Sequence, residues 1–325
     1  MIRRGAPGKR GAPSGRGRPA HVAFPPPHSV PPLFPPEFLH ALESLRILAR
    51  NVPAGGRTAE QRSRAKGPGI EFTDVRPYTP GDDIRAVDWP IFQRLDRLFV
   101  RIYLEEQDLP VYFLLDRSRS MMLPGPKGAA SKSLLATQAT AALAFIALQH
   151  MDRVAVHPFA AEPLTPLPGS TGRHAFNRLL EYLERLPEGG ETRIVEHLRQ
   201  FAHRRLRRGL CVLISDLYDP RGIEPVLQAL AGLPHQLLLV RPVHADEARP
   251  ALQGELEVVD SETGQALALE VDEALLDRYA TAYAGFGARI EEELRRRGAG
   301  QLLLSSAAPL LPQLATVFEQ GVLRA

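Results

Sequence analysis

Two hydrophobic patterns alternate along the middle of the chain. Short apolar runs bounded by polar residues are typical of strands buried on both faces of a sheet, and they occupy 111–116, 153–159, 209–216 and 235–244. Apolar residues at helical spacing fall between them, in 127–149, 173–186, 192–206 and 222–232. Such a series favours parallel strands with helices on both faces. We therefore predict an α/β fold with a doubly wound, mainly parallel sheet in residues 109–244.

The segments before and after this core carry patterns of their own. Residues 37–108 begin with an amphipathic helix over 37–51 and end with a strand over 98–106. Residues 245–325 contain a hairpin over 255–270 with its turn at 261–264, a helix over 272–298, a strand over 301–306 and a helix over 309–320. We expect an N-terminal α+β extension and a C-terminal extension of hairpin and helices that completes the fold.

The first 36 residues differ in composition from the rest of the chain. They hold six Lys or Arg, no acidic residue and ten prolines, which is typical of a disordered tail. Without them, 34 of the 40 basic residues remain against 37 acidic residues. The body is therefore mildly acidic, and we expect no nucleic-acid partner.

Membrane and export signals are also missing. No apolar stretch approaches the ~20 residues of a transmembrane helix, and no apolar segment follows the Arg3–Arg4 pair. The single cysteine, Cys211, lies inside an apolar run and can form no internal disulfide. We therefore expect a cytoplasmic protein with no transmembrane segment.

Polar oxygen-bearing side chains follow the predicted strands. Asp116 ends the most apolar strand, Ser118 and Ser120 come at every second position after it, Thr192 follows a Gly-containing loop, and Asp216 ends a later strand. The carboxyl ends of parallel strands meet at one edge, so these side chains should lie together. Their hard oxygens suit Mg²⁺, Mn²⁺ or Ca²⁺. The alternatives are an ordinary polar turn after the first strand and an ordinary helix N-cap at Thr192.

Residues 69–106 combine a turn with an unusual density of charge. The turn spans 78–81, and four charged residues, Asp82, Asp83, Arg85 and Asp88, precede the only tryptophan, Trp89. Because Arg bridges carboxylates bidentately, we expect a fixed network of ion pairs and hydrogen bonds around Trp89. The alternative is a solvated charged loop.

Common enzyme motifs fail in this sequence. A phosphate loop near Lys132 would need glycines where Pro126 and Ser131 stand, and residues 285–290 lack the third glycine of a dinucleotide fingerprint. The sequence contains no HExxH, GxSxG or CxxC. We therefore expect no enzymatic activity.

Two resemblances follow from these residues. Asp116, Ser118, Ser120, Thr192 and Asp216 resemble the metal-ion-dependent adhesion site of a von Willebrand factor A domain, a Rossmann-like fold. Upstream, Tyr78, Gly81, Asp82, Arg85, Asp88, Trp89 and Arg94, with the Glu105–Glu106 pair, resemble the signature of the bacterial and archaeal family known as domain of unknown function fifty-eight. Glu247 and residues 258–270 also resemble that family.

These resemblances imply a function. The adhesion site implies Mg²⁺ or Mn²⁺ held directly by the hydroxyls, carboxylates acting partly through water, and one coordination position left for a partner's acidic side chain. Members of the family are often encoded beside a MoxR-type AAA+ ATPase, which implies an adaptor or chaperone component that binds the ATPase and a client protein. Arg117 and Arg119 depart from the pattern, since an inward-pointing cation would weaken metal binding and an outward one could meet a partner's carboxylate.

Two alternatives remain open on the sequence. The same oxygens could hold Mg²⁺ for hydrolysis, with His157 or His174 as the base. Alternatively, the metal site is vestigial and the region around Trp89 makes the contacts of a scaffold.

Overall fold

A computed structural model describes residues 2–4, 33–51, 66–104, 110–125, 129–187 and 189–319. The chain divides into two compact units. The larger comprises Met1–Asn51 and Pro110–Leu323, and the smaller comprises Val52–Leu109 with the last two residues. The helix that we predicted within an N-terminal region thus belongs to the larger unit. The predicted disorder of residues 1–36 is wrong for residues 2–4, which form a strand paired with residues 256–258. Most of the rest of the tail lies outside the described residues, so its disorder stays a prediction.

The predicted strands and helices occur in the expected order. The strands are β1 (Ile2–Arg4), β2 (Lys66–Pro77), β3 (Phe99–Leu104), β4 (Pro110–Asp116), β5 (Arg153–Phe159), β6 (Leu167–Ser170), β7 (Leu210–Ile214), β8 (Gln236–Val243), β9 (Gly254–Val259), β10 (Ala266–Val271) and β11 (Gly300–Ser305). The α-helices are α1 (Pro36–Asn51), α2 (Trp89–Leu95), α3 (Arg119–Met122), α4 (Lys132–Gln149), α5 (His174–Glu184), α6 (Ile194–His203), α7 (Ile223–Ala231), α8 (Glu273–Arg297) and α9 (Leu310–Glu319). Of these elements, β1, β2, α2, α3 and β6 were not predicted.

The larger unit is built on a six-stranded sheet in the order β11-β8-β7-β4-β5-β6. Its first five strands pair in parallel, and β6 pairs antiparallel with β5 at the edge. Every residue of β4 is buried, which is why its sequence is an unbroken apolar run. The predicted α/β fold with a mainly parallel sheet is confirmed.

Helices cover both faces of this sheet. On one face, residues of α6, α7 and α8 pack in a single buried cluster with Tyr112 and Leu114 of β4. On the other face, α4 lies against β4, β5 and β8 and contacts α1 and α9. Because α4 is enclosed by these elements, it is buried nearly all round, and its apolar residues do not form a single stripe.

The winding of the chain reverses between β4 and β7. From β4 the chain continues to β5 and β6 on one side, and from β7 it continues to β8 and β11 on the other. Leu115 lies opposite Ile214 in the β4–β7 pair, so Asp116 and Ser215 follow at the same edge. Doubly wound sheets bind ligands at such a switch point, outside the carboxyl ends of the strands. The topology therefore places the expected ligand-binding position at the loops after β4 and β7.

Two details of the larger unit differ from the prediction. Helix α4 begins at Lys132 and not at residue 127, because the Ser131 hydroxyl caps it by accepting the N–H of Leu134 at 3.2 Å. Strand β6 was not predicted, since its sequence contains Pro168 and Gly169, which are poor strand formers. A position at the edge of the sheet tolerates both.

The smaller unit pairs β2 with β3 in an antiparallel ribbon with irregular register. A turn follows β2, and Gly81 in it has φ +106°, a conformation that favours glycine. The Tyr78 N–H donates to the Leu98 carbonyl at 2.9 Å, which ties the turn to the approach to β3. Asp88 caps α2 by accepting the N–H of Ile91 at 3.1 Å, and Arg94 is exposed in the last turn of that helix.

The charged network of the smaller unit centres on Asp82. Its carboxylate accepts two hydrogen bonds from the Arg76 guanidinium, both of 2.6 Å, and one from the Thr79 N–H at 2.8 Å. Trp89 is instead 53% exposed at the start of α2, and the Arg85 side chain is also exposed. The predicted network therefore exists, with the bidentate ion pair of Arg76 and Asp82. The prediction that it surrounds Trp89 was wrong. Residues 105 and 106 lie outside the described residues.

Candidate metal-binding site

Asp116 is a fully buried carboxylate at the end of β4. Its Oδ1 accepts the N–H of Ser118 at 2.9 Å, and its Oδ2 accepts the hydroxyl of Ser215 at 2.6 Å. Burial, and then the negative charge of Asp216, raise the pKa of Asp116 to about 7, although these hydrogen bonds oppose the rise. The carboxylate thus lies beside a second negative charge, in a place where a bound cation would be favourable.

The two serines of the same loop present hydroxyl oxygens close together. Ser118 is fully buried and precedes α3, and Ser120 lies in the first turn of that short helix. Their Oγ atoms are 3.2 Å apart. Neighbouring ligands in an octahedral shell with bonds of 2.0–2.1 Å lie about 2.9 Å apart. The serine oxygens therefore have nearly the spacing of two ligands on one small cation.

A second loop brings Thr192 to this region. The Gly189 N–H donates to the Arg117 carbonyl at 2.8 Å, and the Arg119 N–H donates to the Gly190 carbonyl at 2.9 Å. At Gly189 a Cβ atom would overlap the Arg117 carbonyl, so only glycine permits this close approach. The backbones of the two loops are thus joined at one edge of the sheet, where we predicted that they would meet.

Thr192 is buried and is bound by a carboxylate that we did not predict. Its hydroxyl donates to Oε1 of Glu262 at 2.6 Å, and its N–H donates to Oε2 at 2.8 Å. Glu262 lies in the turn between β9 and β10. Arg193 is the N-cap residue of α6. The interpretation of Thr192 as an ordinary N-cap is therefore wrong.

Asp216 lies beside the site but is paired with a buried lysine. Its Oδ2 accepts a hydrogen bond from Lys132 Nζ at 2.9 Å, and the same ammonium is 2.6 Å from Glu247. Burial opposes the charge of Lys132, but the two carboxylates together raise its pKa above the ordinary value. The structure thus brings Asp116, Ser118 and Ser120 together, joins their loop to that of Thr192, and leaves Asp216 as a neighbour with its own cation.

The donor set is poor in the usual metal ligands. Among the described residues, no three His, Cys, Asp or Glu side chains form a group that could hold a metal. A site here would depend on hydroxyl oxygens as well as carboxylates, which suits Mg²⁺ or Mn²⁺ better than a soft metal.

The two arginines of the metal loop do not point into it. Arg117 is buried, and its guanidinium donates to the Ser133 hydroxyl at 2.7 Å and to the Leu186 carbonyl at 3.2 Å, both away from Asp116. Arg119 is exposed. The Arg117 guanidinium is thus held by α4 and by the Leu186 carbonyl, and Arg119 lies on the surface next to the candidate site.

The histidines considered as bases lie elsewhere. His157 is opposite Leu114 in the sheet, its ring centroid is 5.1 Å from that of Phe201, and its Nδ1 is 3.2 Å from the Arg204 guanidinium. Burial and the charge of Arg204 lower its pKa to about 4. His174 is exposed at the start of α5. His157 therefore packs in the aromatic core below α6 and does not flank the crevice as expected.

The fold and this site define an α/β protein with a polar, hydroxyl-rich centre at its topological switch point. Residues 74–288, more than half of the chain, match the family described as "Protein of unknown function DUF58". The chain belongs to this family.

Relatives and solved structures similar to this chain include the following. An uncharacterized protein of Mycobacterium bovis is 27% identical over 273 residues, covering 83% of this chain and 84% of that protein. An uncharacterized protein of Mycobacterium avium is 28% identical over 144 residues, covering 43% and 85%. Crystal structures of an aerotolerance-related membrane protein from Bacteroides fragilis and of BatB from Bacteroides thetaiotaomicron align at TM-scores of 0.38 and 0.37, with 15% and 14% identity. Both alignments cover 67% of this chain and 100% of the other.

Proposed function

We propose that the larger unit is a metal-dependent protein-binding module that captures an acidic side chain of a partner. The observation that carries this proposal is the meeting of Asp116, Ser118 and Ser120 with the loop of Thr192 at the switch point of the sheet. The resemblance of these residues to the adhesion site of a von Willebrand factor A domain supports the same function.

The residues that would hold Mg²⁺ or Mn²⁺ have distinct tasks. The hydroxyls of Ser118, Ser120 and Thr192 would bind the ion directly, while Asp116 would supply negative charge and fix the loop through its bond to the Ser118 N–H. Asp216 would act at longer range, because its Oδ2 is already paired with the Lys132 ammonium. The ion would supply an open coordination position for one carboxylate oxygen of the partner.

This arrangement makes binding depend on both proteins. A neutral hydroxyl set leaves the ion with most of its positive charge, so that an incoming carboxylate gains more than it would at a site already rich in carboxylates. Exposed Arg119 beside the site would favour the approach of an acidic partner. We expect affinity to disappear when either the metal or Asp116 is removed.

A MoxR-type AAA+ ATPase is the partner we propose, with this protein as an adaptor or chaperone component in the cytoplasm. The support is the family membership and the free, buried Cys211, which suits a reducing compartment. No helix among the described residues is long and apolar enough to cross a membrane.

The test is a pull-down from lysate of the source organism with the wild-type protein in Mg²⁺, in EDTA, and with Asp116→Asn in Mg²⁺. Asp219→Asn is a matched control, since Asp219 is another buried carboxylate after β7 but pairs with Arg221. Retention of an AAA+ ATPase only with metal and an intact Asp116 supports the proposal. Retention that ignores EDTA and Asp116→Asn contradicts it and favours a scaffold.

A further inference from the structure

The Glu262 carboxylate binds Thr192, one of the residues proposed to hold the metal. Both of its oxygens accept hydrogen bonds from Thr192, one from the hydroxyl at 2.6 Å and one from the N–H at 2.8 Å. Thr192 is only 4% exposed, so the carboxylate reaches a buried group and is not a surface contact. An acidic side chain of the same chain therefore contacts a candidate ligand of the site.

The spacing fits a shared ion. The Glu262 Oε1 and Thr192 Oγ1 are 2.6 Å apart, close to the ~2.9 Å between neighbouring ligands of an octahedral Mg²⁺. An ion on the Thr192 oxygen would thus have the Glu262 oxygen within reach of its next coordination position. The serine pair shows a similar spacing of 3.2 Å.

The hairpin turn is built to present this side chain. Asp260 Oδ1 accepts the N–H of Glu262 at 2.8 Å and that of Thr263 at 3.3 Å. The Gly264 N–H donates to the Asp260 carbonyl at 3.0 Å, with φ +73° at the glycine, a value that favours this residue. The Asp260 N–H donates to the Gln265 carbonyl at 2.8 Å, which closes the turn. Little conformational entropy then opposes the contact, since the turn is fixed by its own hydrogen bonds.

We propose that Glu262 is an internal ligand of the metal site, which completes the coordination shell in the resting protein and which a partner's carboxylate must displace. This inference rests on the proposed function, because it assumes an ion held by Ser118, Ser120 and Thr192. It adds a regulatory consequence: the hairpin β9–β10 competes with the partner, and movement of the hairpin opens the site.

Competition of this kind has a defined direction. Removing the Glu262 charge takes one ligand from the ion but leaves a position free for any outside carboxylate. The metal should then bind more weakly, by about tenfold if the ligand contributes ~1.4 kcal/mol, while an acidic peptide should bind more tightly.

The experiment uses the full chain and Mn²⁺ as the probe. Mn²⁺ affinity is measured by electron paramagnetic resonance, and coordinated water is counted by water-proton relaxation, for wild type, Glu262→Gln and Asp116→Asn. Glu270→Gln is the matched control, because Glu270 is exposed on the same hairpin. Thermal unfolding checks that each variant is folded. We expect Glu262→Gln to bind Mn²⁺ about tenfold more weakly and to gain one coordinated water, and Glu270→Gln to match the wild type.

A second measurement supplies the Glu262 carboxylate on a separate peptide. A synthetic peptide of residues 258–267 should bind the Glu262→Gln protein in the presence of Mn²⁺, but bind neither that protein in EDTA nor the wild type, whose site is closed. The same peptide carrying Glu262→Gln should not bind. Glu262→Gln could keep the wild-type Mn²⁺ affinity and water count while Asp116→Asn loses Mn²⁺ binding. That result would show that Glu262 is not a ligand, but it would leave the proposed metal site intact. Absence of Mn²⁺ binding by the wild type would overturn the proposed function itself.

Discussion

Gly189 offers a test of the site that changes no metal ligand. Its backbone is held against the metal loop by the bond from its N–H to the Arg117 carbonyl, of 2.8 Å, and by the neighbouring bond from the Arg119 N–H to the Gly190 carbonyl, of 2.9 Å. In Gly189→Ala, the new methyl group would overlap both the Arg117 carbonyl and the Ala160 methyl. To reach an ordinary contact of ~3.5 Å, the loop must withdraw by about 1 Å.

The loss of folding stability can be estimated from these contacts. Withdrawal breaks two backbone hydrogen bonds at about 1 kcal/mol each, and residual overpacking adds about 1–2 kcal/mol. We expect Gly189→Ala to lose roughly 3 kcal/mol of stability in urea unfolding. Because Thr192 moves with the loop, Mn²⁺ affinity should fall by at least about tenfold.

Gly190→Ala is the matched control. A Cβ at Gly190 would lie 3.3 Å from the Ala161 methyl, which requires an adjustment of only a few tenths of an ångström. This variant should bind Mn²⁺ nearly as the wild type does. Wild-type Mn²⁺ affinity in a folded Gly189→Ala protein would refute the reasoning, since the joining of the two loops would then be irrelevant to the site.

Two further predictions concern buried charges. Lys132→Met leaves Asp216 and Glu247 without their cation and should lower the free energy of unfolding in urea by about 3 kcal/mol. Changing both acids to neutral amides as well should restore that stability. An unchanged urea midpoint in Lys132→Met would show that the ion pairs contribute nothing. His157, with its pKa lowered to about 4, favours unfolding as pH falls from about 6.5 to 4, because only the unfolded imidazole binds a proton in that window. Between these pH values the free energy of unfolding of His157→Phe should therefore fall less than that of the wild type, with a difference of about 1–2 kcal/mol after screening. Equal pH dependence of stability in the two proteins would contradict this account.

Much of the architecture follows from local sequence. The unbroken apolar runs of β4 and β7 and the mainly apolar sequences of β5 and β8 predict these strands, since strands buried on both faces are largely apolar. The parallel topology then predicts that Asp116 and Asp216 lie at one edge, because loops after parallel strands converge. That part of the candidate site depends on strand ends, which the sequence marks clearly. Thr192 lies between α5 and α6, and hydrogen bonds from its loop to the backbone of Arg117 and Arg119 bring it to that edge.

The missed features depend on long-range packing. Glu262 reaches Thr192 across 70 residues, and Lys132 reaches Asp216 across 84. Neither pairing leaves a local pattern: Glu262 looks like an ordinary turn residue, and Lys132 like a helix start beside a failed phosphate loop. Trp89 misled the prediction in the opposite way, since its size suggests a buried centre but its place at the start of α2 leaves it exposed.

The central claim is that Asp116 and its neighbours hold a divalent cation. The most direct measurement is a calorimetric titration of Mn²⁺ into the wild type, Asp116→Asn and the control Asp219→Asn, with unfolding curves to show that all three are folded. The account predicts one saturable site per chain in the wild type and in Asp219→Asn, and none in Asp116→Asn. A wild type without a saturable site, or equal binding by Asp116→Asn, would contradict it.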